Sequence, residues 1–99
     1  MKIKCAAIWF NGKIYEGKNH AEIGLQMVTK FRLCKRFPNS NYQGFVTEIG
    51  DYVNRYLALK IAIKAGQVIE GKTINKNLLF SEDLNNNLTY TDLRKDANI

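Results

Sequence analysis

The dipeptide Asn11-Gly12 constrains this chain more than any other feature. Both residues tolerate the positive φ angles that a two-residue type I′ turn demands. The flanking segments are apolar and β-prone. Residues 2–10 therefore read as a strand, and residues 13–16 as its antiparallel partner. The turn pairs Phe10 with Lys13, Trp9 with Ile14 and Ile8 with Tyr15. Alternation puts Ile3, Cys5, Ala7, Trp9 and Ile14 on one face, and Ala6, Ile8, Phe10 and Tyr15 on the other. Both faces are largely apolar, so both call for cover. A helical layer serves one; the other needs a further layer, a ligand or a second subunit.

Gly17-Lys18 breaks the strand. Asn19 then stands three residues before Glu22, a capping-box arrangement that starts a helix. Ile23, Met27, Phe31 and Cys34 recur at helical spacing, which predicts a helix to about Arg36 with these four as its core stripe. Lys30, Arg32, Lys35 and Arg36 would complement the dipole at its C-terminal end. Pro38 stops it and opens a polar loop over residues 38–43. Residues 44–47 and 51–53 read as a second hairpin. Asn54 caps a second helix over residues 55–65, ended by Gly66 at C′. This helix looks deeply packed, with Leu57, Ile61 and Ala65 as a stripe that Leu59 and Ile63 widen. Residues 67–80 offer one more candidate strand, centred on Leu78-Leu79-Phe80. From Asn85 the chain is Asn-rich and thinly apolar, a composition expected of a frayed tail or a segment ordered by a partner.

The fold class that follows is α+β: an antiparallel sheet built from two hairpins, decorated by two helices, in the order ββαββα with a candidate last strand. With 99 residues, 45% of them hydrophobic, there is material for one core and not two. The expected organisation is a ligand-binding domain over residues 1–84 and a polar tail over 85–99. No run approaches the roughly 20 apolar residues of a membrane span. The start, Met1-Lys2-Ile3-Lys4, lacks a secretory pattern, so the cytoplasm is the expected compartment.

Function classes narrow by subtraction. Cys5 and Cys34 lie in apolar surroundings without a CxxC pair, as reduced buried thiols do. His20 is the single histidine, and no Cys/His/carboxylate cluster suggests a metal. No nucleophile elbow, phosphate loop or dinucleotide fingerprint occurs. Glu82 and Asp83 are adjacent and would point apart on regular structure. A binding protein without a cofactor is therefore expected rather than an enzyme, with a small phosphodiesterase as the catalytic alternative.

The net charge is +6 and uneven. Residues 1–40 hold eight basic and two acidic side chains, and residues 81–99 hold two and four. Such a body suits an anionic partner, although a solvated Lys-rich surface has the same composition. Each helix starts at an Asn directly after an extended segment, and helix N-termini attract phosphate. His20 and Arg55 stand in the two first turns, where a cation is unfavourable to the helix itself. They mark an anion site or are ordinary surface residues. Trp9, Phe10, Tyr15, Phe45, Tyr52 and Tyr56 gather in or beside the strands. They could stack on a purine, stack on single-stranded nucleic acid, or fill a core.

One ordered set of motifs is more specific. Gly44-Phe45-Val46-Thr47, Gly50, Tyr52-Val53-Asn54-Arg55, Ala58-Leu59, Ile61-Ala62, Ala65-Gly66-Gln67 and Leu79-Phe80-Ser81-Glu82-Asp83-Leu84 together resemble small phage and prophage proteins with the same run. The pattern resembles the anti-Thoeris sponges that sequester cyclic ADP-ribose isomers, over about residues 5–84. That resemblance implies an antiparallel sheet with two helices, paired subunits, and pockets near the subunit boundary. It implies tight binding of a nucleotide immune signal without cleavage, in the host bacterial cytoplasm. Carried onto this chain, Phe45 would stack on the base, and Thr47, Asn54 and Arg55 would face the ligand. Ser81 and Asp83 would line the pocket or brace the last strand. The turn Glu48-Ile49-Gly50-Asp51 departs from the pattern, which has small polar residues and a cation there. Lys72 is the candidate replacement. The expected ligand-binding set is thus His20, Phe45, Thr47, Asn54, Arg55, Lys72, Ser81 and Asp83. The expected ligand is a small nucleotide-derived anion and the expected assembly a homo-oligomer. The alternative is a small basic nucleic-acid-binding phage protein.

Overall fold

Asn11 and Gly12 both take positive φ (50° and 77°), and the hairpin closes in the predicted register. In the computed structural model, which describes residues 1–84, strand β1 (Ile3–Phe10) is followed by β2 (Lys13–Gly17) and helix α1 (His20–Thr29). A short 3₁₀ turn (Ser40–Tyr42) leads into β3 (Gln43–Thr47), β4 (Tyr52–Asn54) and helix α2 (Arg55–Lys64). The four strands form one antiparallel sheet in the order β2-β1-β3-β4. The α+β class and the two-hairpin sheet stand as expected. The tail over 85–99 lies outside the described residues.

Both helices cover the same face of the sheet. Ile23 and Met27 of α1 and Ala58, Leu59 and Ala62 of α2 join Ile3, Ala6, Ile8, Phe45 and Val53 in one core. The β1–β3 register shifts between Ile3 and Cys5, so one extra residue on β1 carries Ile3 round to the helix-covered face. That corrects the simple alternation, which placed Ile3 beside Cys5. The other face carries Cys5, Ala7, Trp9 and Ile14 from the first hairpin, and Gly44, Val46 and Tyr52 from the second. No helix covers it. Trp9 packs on Tyr52 with ring centroids 5.9 Å apart, while Ala7 and Val46 are buried.

The first helix is shorter than predicted. It ends at Thr29, and Arg32 adopts a left-handed conformation at φ 50°. The N–H of Leu33 returns to the Met27 carbonyl, so the chain reverses instead of continuing. Phe31 is consequently exposed and Cys34 only packs against the edge of the core. The four cations lie at or beyond the helix end, and none occupies its last turn. In α2 the buried stripe is Ala58, Leu59 and Ala62, while Leu57 is exposed. Alanine at two of these positions lets the helix approach the sheet closely.

The predicted last strand is absent. Residues 65–80 run as turns and coil, and a helical turn begins at 81. Gly66 takes φ 75° just after α2, as its C′ position requires. Gln67 then points its amide at β1: its Nε2 donates to the Ile3 carbonyl, and its Oε1 accepts from the Ile3 N–H. One side chain thus does the work of a strand partner beside the bulge.

Gly44 sits where β1, β3 and the Tyr52 ring meet. A Cβ there would run into the Val53 carbonyl and the Tyr52 ring. The obstruction is partly backbone, so it relaxes poorly. Gly44→Ala is expected to destabilise the domain by about 1–3 kcal/mol, in the range of other overpacked interiors. Urea unfolding measures this, and an unchanged midpoint would show that β3 and β4 can separate at no cost.

Candidate functional site

Asn54 ends β4 and caps α2, its side-chain oxygen accepting from the Leu57 N–H at 2.8 Å. The next residue, Arg55, therefore lies at a helix N-terminus with its side chain half-buried. Its Nη1 donates to the Leu79 carbonyl at 3.0 Å and its Nη2 to Gln43 Oε1 at 2.6 Å. The Phe80 ring lies under the guanidinium, 4.6 Å from centroid to Cζ. Burial draws the Arg55 pKa down from its ordinary value, while Glu82, Tyr52 and Asp83 oppose that shift.

These groups line a cleft of about 600 Å³. Ser40, Asn41 and Gln43 form one wall, Asn54, Arg55 and Tyr56 the floor, and Leu78 and Phe80 the other wall. The volume lies in the range of small-molecule sites, roughly 300–1,000 Å³. The lining combines a cation, amides, two hydroxyls and two aromatic rings. A guanidinium at a helix N-terminus favours an anion, and the rings offer surface to a base or another flat group.

Of the predicted ligand-facing residues, Asn54 and Arg55 line this cleft. His20 does not. Its ring is buried, Nε2 donates to the Gly44 carbonyl at 2.6 Å, and the ring meets Phe45 edge-on at 5.0 Å. Phe45 has no exposed surface, so its ring is closed to a stacking base in this conformation. Thr47 is equally buried, and its Oγ1 accepts from the Asp51 N–H within the β3–β4 turn. Lys72 is exposed in a turn and is not part of the cleft lining.

Ser81 and Asp83 act within the fold. The Asp83 carboxylate accepts from the N–H groups of Ile74 and Phe80, both at 2.9 Å, and so ties the 74–80 loop. The Ser81 hydroxyl accepts from the His20 N–H at 3.4 Å and donates to Glu82 at 3.3 Å. The first turn of α1 is therefore occupied by the chain's own polar groups. The two helix starts are bridged, as the Leu79 N–H donates to the Arg55 carbonyl. The sequence reading did not pick out Ser40, Asn41, Gln43, Leu78 and Phe80. The polar loop over residues 38–43 is a signal for the first three; Leu78 and Phe80 reach the cleft only through tertiary contact.

Among the described residues no cluster of His, Cys, Asp or Glu is placed to hold a metal. Cys5 and Cys34 are free and partly rather than fully buried. No helix there is long and apolar enough to cross a membrane.

Burial, and secondarily the nearby Arg55 charge, lowers the His20 pKa from 6.5, against the opposing pull of the Gly44 carbonyl. The folded state therefore keeps the ring neutral while the unfolded chain takes up a proton. Stability is fully present above pH 6.5 and declines as pH falls below it. Denaturant unfolding at pH 7.5 and pH 5.5 is expected to show that decline, and His20→Gln is expected to reduce it. An equal pH response in both proteins would place its cause elsewhere.

The model of one protein family, described as Phage T4 y16D protein, matches residues 2–85. Comparison with the curated proteins and with the solved structures yields no match.

Proposed function

We propose a function for this chain as a member of the Phage T4 y16D protein family, to which it belongs: it binds a small nucleotide-derived anion in the cleft at the start of α2 and withholds it without cleaving it. The observation that carries this reading is Arg55, a cation held half-buried at a helix N-terminus by Leu79, Gln43 and Phe80. A guanidinium has five N–H donors, and these two hydrogen bonds occupy two of them. Tyr56 and Phe80 supply rings, and Ser40, Asn41 and Asn54 supply polar groups for a sugar or base edge. Among the described residues that line the cleft there is no carboxylate, imidazole or thiol, a set suited to holding a ligand rather than attacking it.

The resemblance to the anti-Thoeris sponges makes a cyclic ADP-ribose isomer the specific ligand under this reading. In that role the protein acts in the host bacterial cytoplasm, lowering the free signal so that its effector stays inactive. The sheet face left without a helix is then available for pairing of subunits into the proposed homo-oligomer.

Isothermal titration with a cyclic ADP-ribose isomer tests the proposal. Binding at micromolar protein is expected, with the ligand recovered intact by mass spectrometry after denaturation. Tyr56→Ala and Arg55→Lys are each expected to weaken binding about tenfold, since each removes one stacking or bidentate contact. Lysine keeps the charge, so a loss in Arg55→Lys reports geometry. Absence of heat, or recovery of a hydrolysed product, would sink the reading.

A further inference from the structure

We propose that the loop over residues 30–37 is a second binding surface, separate from the cleft, and that its ligand is single-stranded nucleic acid. The segment reads Lys-Phe-Arg-Leu-Cys-Lys-Arg-Phe, with four cations and no acid. As a helix it would have spread these side chains around an axis. Ended at Thr29 and reversed through Arg32, it presents Lys30, Arg32, Lys35 and Arg36 to solvent. Among the described residues no salt bridge neutralises any of the four.

The same loop displays aromatic surface. Phe31 is 53% exposed and Phe37 48% exposed, although both are large apolar rings. Phe37 lies against Gly24 of α1, where a Cβ would collide with the ring. Phe31 borders a cavity of about 280 Å³ with Tyr15, Ile23 and Met27, and Lys30 Nζ stands 5.4 Å from its centroid. Exposed rings with cations between them match the stacking-plus-phosphate chemistry of single-strand binders. A duplex offers no free base faces to such rings. Phe37 is packed against Gly24 of α1, which leaves it a face for stacking rather than a side chain free to insert into an anionic membrane.

The proposal does not depend on the ligand reading of the cleft, and its test keeps the two apart. Fluorescence anisotropy of the full chain with a labelled oligothymidylate is expected to show binding that weakens with salt. Four phosphate contacts give a slope of about −3 for log affinity against log salt, at roughly 0.7 per contact. Substituting Lys30, Arg32, Lys35 and Arg36 by Gln is expected to remove most of that slope. Phe31→Ala is expected to cost about tenfold in affinity and Phe31→Trp to restore it. Tyr56→Ala, in the cleft, is expected to leave oligonucleotide affinity unchanged.

Circular dichroism confirms folding of each variant. If the fourfold variant unfolds, Lys35→Gln with Arg36→Gln replaces it, with about half the change in slope expected. The proposal is overturned by no binding, by binding that these charge variants leave unchanged, by equal affinity for duplex, or by failure of Phe31→Trp to restore what Phe31→Ala loses. Binding confined to vesicles containing phosphatidylglycerol would overturn it as well.

Discussion

The planar fork of Arg55 is the joint on which the second half of the molecule turns. Its two amino groups reach β3 through Gln43 and the closing segment through Leu79, while its backbone begins α2. The backbone adds a third link, because its carbonyl receives the Leu79 N–H. A lysine has one ammonium point and no fixed plane, so it cannot hold two acceptors at this separation in one geometry. The same group that fixes the fold also floors the cleft. Structural and binding roles are therefore coupled at Arg55, and Tyr56 is the cleaner probe of binding alone.

What was legible in the sequence is what short-range chemistry decides. Asn11-Gly12 fixed the hairpin and its register, because positive φ at two adjacent positions has few other uses. Asn19 and Asn54 located both helix starts, because a cap acts on N–H groups only three residues away. Gly66 located the end of α2 for the same local reason. The errors lie where distant partners decide. Helical spacing continued past Thr29, yet the Met27 carbonyl took the Leu33 N–H and Arg32 turned left-handed. Leu78-Leu79-Phe80 had the composition of a strand. Leu79 instead exchanges its backbone groups with Arg55, and Phe80 lies beneath the guanidinium. The candidate site was half visible. Asn54 and Arg55 announced themselves at a helix start, whereas His20, identical in position on α1, is sealed by Ser81 and Gly44 from elsewhere in the chain.

The two faces of the sheet divide the molecule's surface. The helix-covered face holds the core and, at its margin, the cleft. The bare face is not simply apolar: Trp9 and Tyr52 shield it locally, and the Lys4 ammonium and Glu16 carboxylate bridge at 3.1 Å beside the exposed Ile14. Such exposed ion pairs contribute little to stability, on the order of 0–1 kcal/mol, but they keep an edge strand wet. Positive charge is instead concentrated on the reversal after α1, which joins the 3₁₀ turn at the cleft wall through Pro38 and Asn39.

The amide of Gln67 has a consequence for how the chain acquires its shape during synthesis. β1 leaves the ribosome first, but the groups that satisfy Ile3 lie 64 residues downstream. The first hairpin can form early, since its contacts span few residues and close quickly. Glu48 reaches the start of β1 first, donating its N–H to the Lys2 carbonyl, but the Ile3 N–H and carbonyl wait until α2 has emerged and its C-terminal turn has aimed Gln67 back across the molecule. Translation thus delivers the hairpin as a waiting template, and the amide acts as a late latch. A pause or truncation before residue 67 would leave the Ile3 N–H and carbonyl without their amide partner, a short exposed edge of the kind that recruits neighbouring nascent chains.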